Sequence, residues 1–201
     1  EVGSVMNLTA IKGEGPVATL HFLDSAALLR YADFSGARVL DVGTGAGFPG
    51  LPLAILRSDA RFTLLDSQQK RIDFLQDTVS RLGLENVECV CLRAEEAPPE
   101  YRESFDIVTS RAVARLNVLA ELCLPFVKLG GSFIAMKALD CEEERQEAQN
   151  AAHELGGSFP DLRRYDIPFS DTGRALIVIG KAAPTPAKYP RRWAKITKQP
   201  L

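Results

Sequence analysis

The feature that most constrains the fold is a glycine-rich turn that follows a short apolar segment. Residues Val39–Gly50 read VLDVGTGAGFPG. Glycines let a backbone approach a ligand closely and adopt angles that other residues resist. Pro49 suits the first turn of a helix, where its missing N–H is not needed. A strand, a glycine turn and a helix in this order usually hold a nucleotide-like cofactor at the carboxyl edge of a parallel sheet.

Strand-like and helical segments alternate along most of the chain. The strand candidates are 38–43, 61–66, 87–92, 105–110, 131–137, 162–168 and 174–180. The helical patterns occupy 16–32, 49–57, 67–82, 114–128 and 140–156. This alternation predicts a parallel sheet covered on both faces. The last two strands are separated only by turn residues at 168–173, which predicts an antiparallel hairpin.

The predicted fold class is therefore α/β, with a seven-stranded, mostly parallel sheet that ends in a C-terminal antiparallel hairpin. That pattern is typical of Rossmann-like class I methyltransferases. We expect one domain over 1–183, which includes an N-terminal helical segment at 1–35. A basic tail at 184–201 is predicted to break away from the domain, because Pro184 and Pro186 interrupt regular structure.

Composition limits the remaining possibilities. The chain has 201 residues and is 46% hydrophobic, enough for one domain with a substantial core. It contains no apolar run of membrane-spanning length and no signal-peptide pattern, so we expect a cytoplasmic protein that does not associate with membranes. Its four cysteines and two histidines are scattered, which favours reduced core thiols over a metal site.

Charge is distributed unevenly. The net charge of the whole chain is −2, yet residues 181–201 contain six basic residues and no acidic one. A basic tail on an acidic body indicates contact with a polyanion. A solvated, disordered terminus is the simpler alternative.

Two carboxylates favour S-adenosylmethionine over a dinucleotide as the cofactor. Asp41 precedes the glycines, where it can lie near the cationic amino-acid end of S-adenosylmethionine but would repel a pyrophosphate. Asp66 ends the next strand and can accept hydrogen bonds from ribose hydroxyls of either cofactor. Both could instead cap a turn or a helix.

Two further groups lie at the predicted carboxyl edge of the sheet. Ala94 and Glu95 follow the third strand, where this fold commonly contacts an adenine, although the segment could be an acidic surface turn. Arg111 follows the fourth strand, where ligands bind. A surface salt bridge is the alternative role for Arg111.

Several motifs, in the right order, resemble one known family. They are Asn7–Ile11, His21–Ser25, Asp41–Pro52, Leu65–Ser67, Ser110–Ala114 and Ala135–Lys137. Together they resemble the bacterial small-subunit ribosomal RNA guanine-N7 methyltransferase G family, also called the glucose-inhibited division protein B family. The resemblance covers nearly the whole chain, and the run GFPGLP is far more specific than a generic glycine turn. Members of that family usually carry a longer N-terminal helical segment, so we expect truncation here.

The resemblance implies S-adenosylmethionine as the cofactor and a guanine in the 530 loop of 16S ribosomal RNA as the target. Gly43 and Phe48 would line the cofactor, Asp66 would hold its ribose, and Arg111 would lie at the mouth of the site. The complete predicted cofactor set is Asp41, Gly43, Gly45, Gly47, Phe48, Asp66, Ser67, Ala94, Glu95 and Arg111.

The implied reaction needs no general base, because guanine N7 has a free lone pair and no proton. Arg111 and Lys137 are the predicted positioning residues. The other predicted RNA contacts are basic: Arg115, Lys137, Lys188, Arg191, Arg192, Lys195 and Lys198. Tyr189 and Trp193 lie within the basic run and either stack on bases or dock the tail on the domain. For His21 and Asp24 we expect a structural role in anchoring the first helix.

The expected partner is 16S ribosomal RNA or the 30S subunit, and we expect the protein to be a monomer. A methyltransferase of the same fold that acts on a small molecule or a protein is the first alternative. An NAD(P)-dependent oxidoreductase and a non-catalytic RNA-binding module are two others.

Overall fold

The computed structural model describes residues 13–111 and 113–201. The Asn7–Ile11 motif and Ala112 lie outside the described residues, as does the first third of the predicted N-terminal segment. The sheet contains seven strands in the order β3-β2-β1-β4-β5-β7-β6. Their bounds are β1 Arg38–Val42, β2 Arg61–Asp66, β3 Val87–Cys91, β4 Phe105–Arg111, β5 Val127–Ala138, β6 Asp161–Asp166 and β7 Gly173–Gly180.

The predicted topology is confirmed. Strands β1 to β5 pair in parallel, while β7 pairs antiparallel with both β5 and β6. Asp166 pairs with Gly173 at the end of the β6–β7 hairpin. Because the strand order reverses between β1 and β4, their carboxyl ends flank the crevice where this class of sheet binds ligands.

Helices cover both faces of the sheet. Their bounds are α1 Gly50–Leu56, α2 Gln69–Leu82, α3 Leu116–Cys123, α4 Glu142–Glu147, α5 Gln149–Glu154 and α6 Trp193–Lys198. Two predicted helices are shorter than expected. The one predicted at 114–128 ends at Cys123, and Pro125 lies within the tight 3₁₀ turn Leu124–Phe126 that follows. The one predicted at 140–156 divides at Ala148 into α4 and α5.

Alternate residues of the strands face opposite sides of the sheet and supply separate hydrophobic cores. On one face, Leu40, Val108 and Phe133 pack against α3 and α5. On the other face, Val39 and Ile107 pack against the N-terminal segment and α1. A small third core joins Leu64 of β2 to Leu51, Ile72 and Leu75 of α1 and α2. Strands buried on both faces explain why the sequence reads as continuous apolar runs rather than as an alternating pattern.

The described N-terminal segment is a run of helical turns at Glu14–Val17, Ala18–Leu23, Asp24–Ala26 and Ala27–Arg30. The second of these turns is π-helical. Asp24 is buried and accepts a 2.6 Å hydrogen bond from the Tyr165 hydroxyl on β6. This bond ties the segment to the sheet, in agreement with the structural role expected for Asp24.

The C-terminal tail packs against the domain rather than leaving it. Thr185, Tyr189 and Ile196 are buried. Arg102 donates hydrogen bonds to the backbone carbonyl groups of Thr185, Pro186 and Tyr189. For Tyr189 this is the docking alternative of the sequence analysis. The sequence could not decide between the alternatives, because the partners of the tail come from segments far away in the chain.

None of the helices in the described residues is long and apolar enough to cross a membrane. The four cysteines are free thiols; Cys123 and Cys141 are buried, whereas Cys91 is exposed. The expectation of core thiols is thus wrong for Cys91. Burial raises the pKa of Cys89 to about 11 and that of Cys123 well above its usual value.

Candidate functional site

A cleft of about 440 Å³ opens at the carboxyl edge of the sheet. Its walls come from the glycine turn after β1 and from the segments that follow β2, β3 and β4. This volume falls within the range of about 300–1,000 Å³ that is usual for small-molecule sites. Eight of the ten predicted cofactor residues line it: Gly43, Gly45, Phe48, Asp66, Ser67, Ala94, Glu95 and Arg111.

The glycine turn forms one wall of the cleft. Gly43 has a φ of +70°, and a Cβ there would lie 2.6 Å from Val113 Cγ2. The backbone N–H groups of Gly43 and Thr44 donate to the Leu65 carbonyl at 2.8 and 3.0 Å. These bonds pin the turn to β2, and the missing side chain at Gly43 makes room for the Val113 side chain beside it.

Gly47 has a different role from the one predicted. It does not line the cleft, and a Cβ there would lie 2.9 Å from Leu75 Cδ2 and 3.1 Å from Leu51 Cβ. We therefore correct the prediction: the missing side chain of Gly47 makes room for Leu51 of α1 and Leu75 of α2 beside the glycine turn.

Asp41 also lies outside the cleft, contrary to the prediction. Its carboxylate is fully buried. Oδ2 accepts hydrogen bonds from Thr44 Oγ1 at 2.7 Å and from the Gly50 N–H at 3.0 Å, while Oδ1 accepts one from Thr109 Oγ1 at 3.1 Å. Burial raises the pKa of Asp41, and these hydrogen bonds oppose that shift. Asp41 therefore holds the glycine turn in shape, as the alternative capping role required.

Asp66 lies in the cleft, where the prediction needs it, and also supports the segment that leads into α2. It lines the cleft, and its Oδ1 accepts a 2.9 Å bond from the Gln68 N–H at the start of α2. Its Oδ2 accepts bonds from the Gly45 N–H at 3.0 Å and from Arg71 Nη1 at 3.1 Å. Since each carboxylate oxygen has two lone pairs, the group can still accept a bond from a ribose hydroxyl.

An aromatic and cationic cluster forms the mouth of the cleft. The Arg111 guanidinium lies 5.0 Å from the centre of the Phe48 ring, and the His21 ring stacks on Phe48 at 4.7 Å. Arg111 Nη1 is also 3.6 Å from Asp24 Oδ2. Burial lowers the pKa of Arg111 and lowers that of His21 to about 4, so the imidazole is neutral at pH 7. The N-terminal segment thus contacts two residues that line the cleft, Phe48 and Arg111.

The structure adds cleft residues that sequence reasoning missed. Arg71 on α2, Val113 after β4 and Trp193 at the start of α6 all line the cleft. The spacing of Arg71, five residues beyond Asp66, was an available signal because both flank the start of one helix. Nothing in the sequence indicated Trp193, which lies 82 residues beyond Arg111.

The predicted RNA-contact residues divide into two groups. The Lys137 side chain is 8% exposed and donates to the Ala114 carbonyl at 2.7 Å and to Glu144 Oε2 at 2.6 Å. Arg191 pairs with the buried carboxylate of Glu121 at 2.5 Å. Both are therefore unavailable to phosphate groups, and we correct those two predictions; Lys137 also loses its predicted positioning role at the substrate.

The remaining predicted RNA contacts are accessible. Arg115 and Lys188 are exposed, although they pair with Glu147 at 2.5 Å and Glu154 at 3.6 Å. Within the described part of the chain, no acidic partner is seen for three exposed cations on or beside α6, namely Arg192, Lys195 and Lys198. The candidate polyanion surface is thus concentrated beside the cleft residue Trp193.

The cleft suits S-adenosylmethionine. Gly43 and Gly45 present backbone without side chains to the cleft, and the carboxylates of Asp66 and Glu95 offer acceptors for hydroxyl and amino groups. Together with the sheet order and the terminal hairpin, this cleft defines an S-adenosylmethionine-dependent methyltransferase of the Rossmann-like class.

Comparisons with known proteins identify the family. The family model described as rRNA small subunit methyltransferase G matches residues 1–161. A relative from Deinococcus radiodurans named ribosomal RNA small subunit methyltransferase G is 49% identical over 199 residues, covering 98% of this chain and 79% of its own. One of the same name from Clostridium perfringens is 45% identical over 199 residues, covering 98% and 83%. The chain therefore belongs to the rRNA small subunit methyltransferase G family.

Solved structures are similar in fold. A SAM-dependent O-methyltransferase from Thermotoga maritima has a TM-score of 0.65 and 17% identity, over 92% of this chain and 72% of its own. A SAM-dependent methyltransferase from Aquifex aeolicus has a TM-score of 0.61 and 20% identity, over 82% and 93%. At such low sequence identity these structures support the fold assignment alone.

Proposed function

We propose that this protein transfers a methyl group from S-adenosylmethionine to N7 of a guanine in the 530 loop of 16S ribosomal RNA. The observation that carries the proposal is that Trp193, which lines the cleft, is the first residue of α6, and that three exposed cations lie on or beside this helix: Arg192, Lys195 and Lys198. Among the residues that the structure describes, no acidic partner is seen for these cations. A small-molecule methyltransferase has no need of such a surface. Family membership supports ribosomal RNA as the substrate class.

The chemistry requires positioning rather than proton transfer. When bound, S-adenosylmethionine supplies a methyl group on a positively charged sulfur. Transfer of this methyl group to the N7 lone pair would leave the sulfur neutral and the guanine cationic. No proton leaves N7, so no side chain has to act as a base. The protein contributes orientation and the exclusion of water.

Arg111 is the positioning residue that we propose for this step. Its planar guanidinium lies over Phe48 at the mouth of the cleft, where it can stack on a base or hold a phosphate. Asp24, 3.6 Å away, offsets part of the positive charge. This offset matters because the methylated guanine is itself cationic, and an unbalanced cation at the mouth would disfavour the product.

The base must be accessible for this chemistry. In an A-form helix the deep, narrow major groove hides N7, so we propose that the target guanine is unpaired or flipped outward. We propose the 30S particle in the cytoplasm as the setting, with the protein acting as a monomer. Arg192, Lys195 and Lys198 would contact phosphates near the target base.

Methyl transfer to unmodified 30S particles tests the proposal. Labelled S-adenosylmethionine is supplied, and the labelled base is mapped by digestion and mass spectrometry. We expect one N7-methylguanine in the 530 loop. A label on another base, or on protein, would refute the proposed target.

Charge-matched variants test the RNA surface in the same assay. The variant Arg192→Ala/Lys195→Ala/Lys198→Ala should raise KM for 30S particles while leaving cofactor affinity within about twofold, because phosphate contacts supply much of the affinity for nucleic acid. The control removes three exposed cations elsewhere on the domain, Arg61, Arg81 and Arg163. Equal losses in the two variants would show that only total charge matters, and would remove this surface from the proposal.

A further inference from the structure

We propose that Trp193, which the C-terminal tail brings to the cofactor cleft, is the wall against which the adenine of S-adenosylmethionine packs. The inference concerns the cofactor alone and does not depend on the RNA target. Trp193 is the only tryptophan in the chain. It lines the cleft with 40% of its surface exposed, which is unusual for so large an apolar side chain.

The position of Trp193 within the cleft points to the adenine end. It is the first residue of α6, which packs on α3. Helix α3 in turn packs on the turn Ala94–Glu96, which follows β3. Leu122 of α3 lines the cleft as well. These contacts place Trp193 on the side of the cleft formed by α3 and the turn that follows β3.

The chemistry of an indole suits an adenine at that place. Both are flat aromatic rings, and stacking an aromatic side chain on a base contributes about 1–3 kcal/mol, which is about a five- to hundredfold change in affinity. Among the other described lining residues near this end, Leu92, Ala94 and Leu122 are aliphatic, and Arg93 and Glu95 are charged. Trp193 is thus the one described side chain at this end of the cleft that offers an aromatic face.

A set of buried contacts fixes Trp193 in place. Glu121 on α3 accepts bonds from the Arg191 backbone N–H at 2.8 Å, from Nε at 2.8 Å and from Nη2 at 2.5 Å. Two residues earlier, Tyr189 is buried, and its hydroxyl donates to Glu154 Oε2 at 3.0 Å. Because these contacts anchor the chain just before Trp193, the indole is held at the cleft before the cofactor arrives.

The single tryptophan makes the proposal directly measurable without any substitution. S-adenosylhomocysteine, adenosine and methionine are titrated separately while tryptophan fluorescence is recorded. We expect S-adenosylhomocysteine and adenosine to change the emission with saturation, and methionine to leave it unchanged. A change with methionine but not with adenosine would assign Trp193 to the opposite end of the cofactor and overturn the proposal.

Variants provide the second test, by calorimetric titration of S-adenosylhomocysteine. Trp193→Ala should raise Kd about tenfold, while Trp193→Phe, which keeps an aromatic face, should raise it about threefold or less. Phe169→Ala is the matched control, since Phe169 is 94% exposed and does not line the cleft. Thermal unfolding of each variant establishes that it is folded.

Two results would overturn the proposal. One is a Kd for Trp193→Ala within twofold of the parent value; the other is unchanged fluorescence when calorimetry shows the cofactor site saturated. Neither result bears on methylation of ribosomal RNA, which the 30S assay measures separately. A loss of transfer in that assay with normal fluorescence titrations would, conversely, leave the role of Trp193 intact.

Discussion

Replacing Arg191 with methionine tests how the tail is held on the domain. The Arg191 side chain is 15% exposed and that of its partner Glu121 is fully buried. In the parent protein Glu121 accepts hydrogen bonds from the guanidinium and from the Arg191 backbone N–H. The substitution keeps the backbone bond and removes the charge, so a carboxylate is left buried with most of its compensation gone.

The expected cost follows from that geometry. Breaking a buried ion pair by removing one partner costs about 3–5 kcal/mol, because the remaining charge is no longer compensated. The retained backbone bond places Arg191→Met near the lower end, at about 3 kcal/mol. For a domain of this size, about 2–4 °C of Tm is lost per kcal/mol, so Tm should fall by about 6–12 °C.

Urea unfolding monitored by circular dichroism measures this change, with two comparison variants. Arg163→Met removes an exposed cation that pairs with Asp161, and should change stability by about 0.5 kcal/mol or less. The double variant Glu121→Leu/Arg191→Met removes both buried charges and should recover most of the loss. If Arg191→Met costs less than about 1 kcal/mol, or if the double variant is no better, the buried pair does not anchor the tail and the reasoning is refuted.

Three further predictions concern the cleft and the RNA surface. Gly43→Ala should weaken binding of S-adenosylhomocysteine at least about tenfold in calorimetry, because the new Cβ meets Val113 and residue 43 has a φ of +70°. An unchanged affinity would show that the cleft does not need a glycine at this position. His21→Phe should flatten the decline in stability as pH falls from 6.5 towards 4. In the folded parent the pKa of His21 is about 4, below its ordinary 6.5, so the unfolded state takes up the proton first and acid favours unfolding. If the urea midpoint falls by the same amount between pH 7 and pH 5 in the parent and in His21→Phe, this prediction is contradicted. Alanine is substituted together for Arg192, Lys195 and Lys198, and binding of a 530-loop RNA is measured at several salt concentrations. The slope of log binding constant against log salt concentration should become about two to three units less steep, and an unchanged slope would exclude these residues as phosphate contacts.

Much of the fold could be predicted from the sequence because its signals are local. The alternation of buried strands and helices predicted the parallel sheet, and the turn residues before Gly173 predicted the terminal hairpin. The glycine run after β1 predicted the position of the cleft, because glycine turns at that sheet edge bind ligands wherever this topology occurs.

The roles of individual side chains depended on neighbours that the sequence could not supply. Asp41 and Gly47 fit a ligand-binding motif, yet contacts with Thr109 and Leu75 make them supports of the turn. Arg191 was predicted to contact phosphate, but in the structure it pairs with Glu121. Charge and motif spacing indicate what a residue is able to bind, but not which partner the fold brings to it.

The sequence by itself thus determined the order of strands and helices and the edge of the sheet at which a cofactor binds. Hydrophobic periodicity and turn signals depend only on residues that are close together in the sequence. Only the tertiary structure decided that the tail returns to the domain and places Trp193 in the cleft. The physical reason is that a buried ion pair between residues 121 and 191 joins segments that are 70 positions apart. A contact over that distance in the sequence cannot be predicted from a local pattern.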